Sequence, residues 1–322
     1  MLDRLFDVMI ERGGGGGILI NDRDHDATRR PGCHCPFQRL NPHAPRIVAV
    51  MDSSGIETAV DVLARGRAAG RLERVRMDLL PSDIRPSDED EAYALQKALH
   101  QRLEGSGHGH VSGHKIGCTT TVMQEYLGIH NPCAGGIFDS TVHEVDGIVG
   151  HAGFQHVGVE CEIAVRLAKD LPATGAPYDA NSVAPAVETV MAAIEIVDDR
   201  WLDYPSVDTP TLIADDFFGA GCVLGRPVAG WRSLDLASIT GGMSINGESV
   251  GTGVGGDILG HPLEALAWLA NSKARRGETL ASGEFVLLGS IVQTRWVEAG
   301  DRVEIEIEGL GEASILFETT GE

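Results

Sequence analysis

The chain has 322 residues, 43% of them hydrophobic, and a formal net charge of -21 at pH 7. That is enough apolar material for one large domain or two smaller ones, and no apolar run approaches the length of a membrane span. The acidic excess argues against nucleic acid or an anionic membrane surface as a partner, but not against an anionic small molecule, because a bound cation can reverse the local field.

Six cysteines are scattered along the chain and only Cys33 and Cys35 lie close together. This is no disulfide framework, and a reducing, cytoplasmic location is expected. Cys33-His34-Cys35 supplies too few spaced ligands for a structural zinc site. Residues 1–50 combine a Gly13–Gly17 run, four prolines and mixed charge without periodicity, which predicts a disordered or non-native extension. The glycine run is no nucleotide loop, since no Lys-Ser/Thr follows it. Met51 opens the first patterned segment and is a candidate start.

Ser54-Gly-Ile-Glu57 has the spacing of a capping box, followed by a helical stripe of Ile56, Ala59, Val60, Leu63 and Ala64. A second helix is expected after Pro86-Ser87, with Asp88, Glu89 and Asp90 in its first turn and Leu95, Leu99 and Leu103 as its apolar edge. These two define a helical N-terminal arm over residues 51–108. His108 and His110 sit with His114 in a glycine- and serine-containing stretch that reads as a surface loop rather than a metal site. From there to residue 322 a strand-rich catalytic domain is predicted. Val157–Leu167 alternates with period two, and Asn246-Gly247 marks a hairpin within Met243–Val250. Pro262 opens a helix closing near Gly277, and Phe285–Leu288, Arg302–Ile307 and Ala313–Phe317 read as closing strands. The class is α+β.

Within Val157–Leu167, Glu160 and Glu162 share one face while Val159, Cys161, Ile163, Val165 and Leu167 share the other. Glu195 stands alone in the apolar run Val190–Val197. An unpaired carboxylate is costly to bury, and three glutamates suit a hard divalent ion. Glu304, Glu306 and Glu308 show the same alternation, as an ordinary solvated strand face does. On spacing alone a metal site and a solvated face both remain open. Gly113-His-Lys-Ile-Gly117 hems Lys115 between glycines and apolar residues, a setting that predicts a lowered pKa and a proton-transfer role. A solvated loop lysine is the alternative.

Several segments, in order, resemble the fumarylacetoacetate hydrolase-like superfamily, in its branch of 2-keto-4-pentenoate hydratases and 2-oxo-3-hexenedioate decarboxylases. They are Gly113–Gly117, Gly136–Phe138, Val159–Ala164, Asp170–Pro172, Ala193–Arg200, Ala214-Asp215, Leu259–Leu263, Ala267–Asn271 and Gly300-Asp301. The resemblance spans residues 51–322 and implies a mixed β-roll of the fumarylacetoacetase C-terminal type, assembled as a homodimer or higher oligomer. It implies that Glu160, Glu162 and Glu195 hold Mg²⁺ or Mn²⁺, and that Lys115 moves protons. A bidentate 2-oxo acid would bind the open metal positions, and Lewis-acid polarisation would stabilise its enolate. The implied reaction is hydration of a 2-hydroxy-2,4-dienoate to a 4-hydroxy-2-oxo acid.

This chain departs from that pattern in three places. Cys133 follows Asn131-Pro132 where hydratases often carry an aspartate, and a thiol is a poor substitute for a carboxylate in activating water. His114 replaces the usual aromatic residue before the lysine and is itself a candidate acid or base. Ala214-Asp-Asp-Phe-Phe218 stands where Ala-Asp-Asn is common, so Phe217 and Phe218 are expected to make the pocket more apolar. Two alternatives follow: a 2-oxo acid decarboxylase using the same metal and lysine, or a catalytically silent metal-binding paralogue, motivated by Cys133 and Asp216.

Overall fold

The computed structural model describes residues 51–69 and 76–319. The expectations for residues 1–50, the glycine run and Cys33-His34-Cys35 among them, lie outside the described residues. Helix α1 (Ser53–Ala69) buries Ala59, Val60 and Leu63 as its stripe predicts. Its cap differs from the expected Ser54: Asp52 Oδ1 accepts from the Gly55 amide at 2.8 Å, so a carboxylate two residues upstream starts the helix. Helix α2 (Glu89–Leu103) is likewise capped by Asp88, which sits outside the first turn rather than in it. Leu95, Leu99 and Leu103 are buried, and Gln96 Nε2 donates to the carbonyls of Ala134 and Ile213, fixing α2 to the body of the protein.

The strands are β1 (Val111–Gly117), β2 (Cys133–Phe138), β3 (Val142–Glu144), β4 (Asp146–Gly150), β5 (Val157–Leu167), β6 (Val187–Asp198), β7 (Gly219–Leu224), β8 (Thr240–Ile245), β9 (Glu248–Val254), β10 (Phe285–Trp296), β11 (Arg302–Ile307) and β12 (Gly311–Glu318). Between them lie the short helices α3 (Thr121–Leu127), α4 (Ala180–Val183) and α5 (Thr209–Ala214), and the longer α6 (Pro262–Arg275). One mixed sheet runs β2-β1-β10-β5-β6-β7-β3 and a second runs β4-β12-β11-β8-β9. In the first, β1 is parallel to β10 and β3 to β7, while the other pairs are antiparallel.

Strands β2 and β3 stand at opposite edges of the larger sheet, yet only the turn Asp139–Thr141 joins them. The sheet must therefore curl until its edges meet, giving the mixed roll that the family resemblance implied. The roll has an inside, where Ile137, Ala164, Met191, Ala193, Cys222, Leu224, Phe285 and Leu287 form a small core of their own. Its outside packs on the second sheet and the helices in one large core. Close approach of the two sheets depends on glycine: a Cβ on Gly253 would lie 1.8 Å from the Ile291 carbonyl oxygen.

The expected hairpin forms as β8 and β9, with Asn246 and Gly247 both at positive φ, 54° and 84°. Strand β10 runs eight residues beyond the expected Phe285–Leu288. Gly289 is a bulge inside it, not a stop.

Because Leu99 is 0% exposed and belongs to the large core, Leu99→Ala is expected to destabilise the whole protein by roughly 2–5 kcal/mol. Urea unfolding should show one shifted transition; an unchanged midpoint would mean that α2 is not part of the core.

Candidate metal centre

Strands β5 and β6 pair so that Glu160 and Glu195 are directly opposite, and Glu162 lies two residues along β5 on the same face. That face is the inside of the roll. One carboxylate oxygen from each of Glu160, Glu162 and Glu195 falls within 4.8 Å of the others, the one such group of three or more ligand-type residues among the described residues. The expected contrast with Glu304, Glu306 and Glu308 holds, since those three side chains are exposed on the second sheet's open face. The histidines at 108, 110 and 114 form no such group; His110 is exposed and lies 3.6 Å from Glu104.

Neighbouring strands orient these carboxylates. Thr294 of β10 donates its hydroxyl to Glu160 Oε1. The Gly289 amide donates to Glu162 Oε2 at 2.8 Å, which its φ of 126° allows. Both residues escaped the sequence reading, although a glycine inside an apolar strand is a signal of close backbone approach. Glu162 Oε1 and Glu195 Oε2 are buried without a hydrogen-bond partner.

Lys115, on β1 across the roll, is 3% exposed and sets its Nζ 2.9 Å from Glu195 Oε1. The contact is a buried ion pair at hydrogen-bonding distance. Burial alone would lower the lysine pKa, as the sequence predicts, but Glu195, Glu160 and Glu162 together raise it above its ordinary value. Lys115 is therefore an ammonium, and the expected lowering is corrected by the charges around it. Burial, then repulsion from Glu195, pushes Glu160 up to about 7. The same two causes, with Glu160 added, raise Glu162 well above the ordinary range. Three carboxylates face one ammonium, and buried oxygens remain without donors. A hard divalent ion fits this donor set, supplying the missing charge and accepting the free lone pairs.

The structure does not bring His114 to this centre. Alternation along β1 turns it to the outside of the roll, with Lys273 Nζ 3.2 Å from its Nε2 and Glu284 Oε2 at 3.7 Å. Burial, then Lys273, lowers its pKa to about 4, so the ring is neutral near pH 7. Cys133 is buried, and a hydrogen bond with Cys118, then burial, raises its pKa well above the usual thiol value. It stays a thiol and cannot replace an aspartate.

Asp216 does not join the glutamates either. Its Oδ1 accepts from the Gly136 amide at 2.8 Å and lies 2.7 Å from His100 Nε2, while its Oδ2 lies 2.7 Å from Arg67 Nη2. Arg67 Nε also pairs with Asp215 Oδ1 at 2.8 Å, and Arg200 Nε with Asp215 Oδ2 at 3.0 Å. Nothing in the sequence pattern pairs these positions, which come from α1, α2 and the segments after β6 and α5. Of the two phenylalanines expected to make the pocket apolar, Phe217 has its ring centroid 5.5 Å from Lys115 Nζ, whereas Phe218 packs edge-on against Phe217 and Tyr204.

Residues 133–315 match the family described as fumarylacetoacetate (FAA) hydrolase C-terminal. The chain belongs to this family. Among its curated relatives, the 2-hydroxyhexa-2,4-dienoate hydratase of Comamonas testosteroni is 36% identical over 230 residues, 71% of this chain and 86% of that one. The 4-oxalocrotonate decarboxylase of Pseudomonas putida is 31% identical over 227 residues, 70% of this chain and 84% of that one. Among solved structures, 4-oxalocrotonate decarboxylase from Pseudomonas putida G7, complexed with magnesium and adipate, superposes with a TM-score of 0.74 at 27% identity. That match covers 81% of this chain and 97% of the other. Relatives of both names are lyases.

Metal and protons compete for the same carboxylates. Glu160, raised from 4.5 to about 7, holds its extra stability below pH 4.5 and loses it as the pH rises through 7. The metal-free melting temperature should therefore fall from this source between pH 5 and 8, and Mg²⁺ or Mn²⁺ should raise it more at pH 8 than at pH 5. His114 pulls the other way, its lowered pKa costing stability as the pH falls from 6.5 to 4, but it cancels in the difference between metal-loaded and metal-free protein. An equal metal-induced gain at both pH values would count against the site.

At Gly289 an added Cβ would lie 2.4 Å from Thr119 Oγ1 on a backbone at φ 126°. Gly289→Ala is expected to weaken metal binding roughly 10–100-fold by withdrawing the amide from Glu162, read by calorimetric titration. Unchanged affinity would show that this amide does not orient the ligand.

Proposed function

We propose that this chain is a divalent-metal-dependent hydratase that adds water to a 2-hydroxy-2,4-dienoate and releases a 4-hydroxy-2-oxo acid. The observation that carries the reading is the trio Glu160, Glu162 and Glu195 facing a buried Lys115 ammonium within one apolar roll. Mg²⁺ is the proposed ion, with Mn²⁺ as its substitute, held by the three glutamates. When bound it supplies Lewis-acid polarisation to a 2-oxo acid's carboxylate and keto oxygens.

The chain's own residues do the rest. Thr294 and the Gly289 amide hold Glu160 and Glu162 in place. The apolar floor of Ala164, Met191, Ala193 and Leu287 excludes water beneath the centre and strengthens the charge interactions above it. Lys115 Nζ delivers a proton to the terminal carbon as the dienol becomes the 2-oxo form, and the proton leaving the enol hydroxyl restores the ammonium. His114, neutral and outside the roll, has no part in that transfer.

A second reading, decarboxylation of a 2-oxo dicarboxylic acid, is favoured by the similarity to 4-oxalocrotonate decarboxylases. The silent-paralogue reading loses half its motive, because Asp216 is committed to Arg67 and His100 and leaves the glutamates undisturbed. A homo-oligomeric assembly and a cytoplasmic location belong to the same proposal.

The test uses freshly generated 2-hydroxypenta-2,4-dienoate and Mg²⁺, following loss of dienol absorbance and product mass against a no-enzyme control. Water addition that is abolished by EDTA supports the hydratase; CO₂ release from a 2-oxohexenedioate without water addition selects the decarboxylase. Lys115→Met is expected to lower kcat by roughly 10²–10⁴ with metal affinity kept. Full activity in that variant would remove the lysine from the mechanism.

A further inference from the structure

We propose that Asp216 is a positioning residue: gripped by Arg67 and His100 of the N-terminal helices, it holds Phe217 against Lys115, so that the helical arm governs proton transfer inside the roll. The role assigned to Lys115 rests on the function proposed above.

The backbone shows that something must hold this turn. Asp216, Phe217 and Phe218 are three successive non-glycine residues in the left-handed region, with φ of 54°, 48° and 67°. Such residues persist only where their surroundings over-determine them, and they gather at functional sites. Arg200 braces the turn from either side by donating to the Asp215 and Gly219 carbonyls, and within it the two oxygens of Asp216 take the Gly136 amide, His100 and Arg67 between them. The side chain is 0% exposed. Burial by itself would raise its pKa, but His100 and Arg67 hold it well below the usual carboxylate range, so the grip is ionic.

The turn delivers one side chain to the centre. Phe217 is 6% exposed and presents its ring 5.5 Å from Lys115 Nζ. Gly117 leaves room for it: a Cβ there would sit 3.1 Å from Phe217 Cδ1 and 3.5 Å from Lys115 Nζ. The ammonium thus has two neighbours, Glu195 at 2.9 Å and the aromatic face of Phe217 at 5.5 Å. Releasing the turn removes that second neighbour while leaving all three glutamates in place. This predicts a loss of rate and not of binding.

The experiment compares Asp216→Asn, which keeps a residue tolerant of the left-handed turn, with Phe217→Leu and the double variant, and adds His100→Ala to cut the latch from the arm. Hydrogen exchange at C3 of 2-oxobutanoate in D₂O with Mg²⁺, followed by NMR, isolates enolisation; calorimetry gives the affinity for the same acid. Each single variant should slow exchange tenfold or more with affinity within about twofold, and the double should be no slower than the worse single. Losses that multiply, or that follow affinity and melting temperature in proportion, would overturn the proposal. The ring-current displacement that Phe217 imposes on the Lys115 side-chain protons, read by NMR, needs no turnover and should be lost alike in Asp216→Asn and Phe217→Leu. A wild-type protein that neither binds nor exchanges 2-oxobutanoate refutes the functional reading instead. The latch is then judged on that displacement, and unchanged Lys115 signals in both variants overturn it.

Discussion

Uncompensated negative charge inside the roll is the constraint on which the rest of this molecule depends. Glu160, Glu162 and Glu195 converge within 4.8 Å, two of them buried, against the single ammonium of Lys115. No apolar packing can relieve that arrangement, because desolvating a carboxylate without a partner disfavours its charged form. Protons or a divalent ion must supply the missing charge, and the ion takes an oxygen from all three carboxylates at once. The strands around the centre serve this end. The Glu160–Glu195 register sets two carboxylates face to face, and the bulge at Gly289 turns an amide toward the third.

The same constraint explains why the roll is closed. An open sheet would leave the glutamates solvated, as Glu304, Glu306 and Glu308 are on the second sheet. Joining β2 and β3 across three residues forces the edges together, and the small inner core then fills the space beneath the glutamates. The seam needs reinforcement, and the ionic cluster of Arg67, His100, Arg200, Asp215 and Asp216 lies there, tying both N-terminal helices to the turn that precedes β7. Catalytic chemistry and arm packing are thereby parts of one object.

Much of the centre was legible beforehand for local reasons. Period-two alternation puts Glu160 and Glu162 on one face whatever the fold around them, and a lone glutamate in an apolar run is anomalous by itself. Two expectations failed where local reading could not see the neighbours. Lys115 has its pKa raised rather than lowered, because carboxylates from two other strands outweigh its burial. His114 adjoins Lys115 in sequence, but alternation sends it to the other side of β1, where Lys273 awaits it.

The sequence by itself determined the alternating strand that carries Glu160 and Glu162, singled out Glu195 and Lys115, and pointed to the family, since each depends on spacing within a short segment or on the order of such segments. Tertiary structure alone decided which charges meet. It paired Asp216 with Arg67 and His100, residues 149 and 116 positions away, and so turned a departure from the family pattern into a structural tie. It also set Phe217 over Lys115 and left Cys133 as a buried thiol beside Cys118. The physical reason is one of range: backbone periodicity acts over a few residues, whereas charge, burial and pKa depend on whatever the fold brings within a few ångströms.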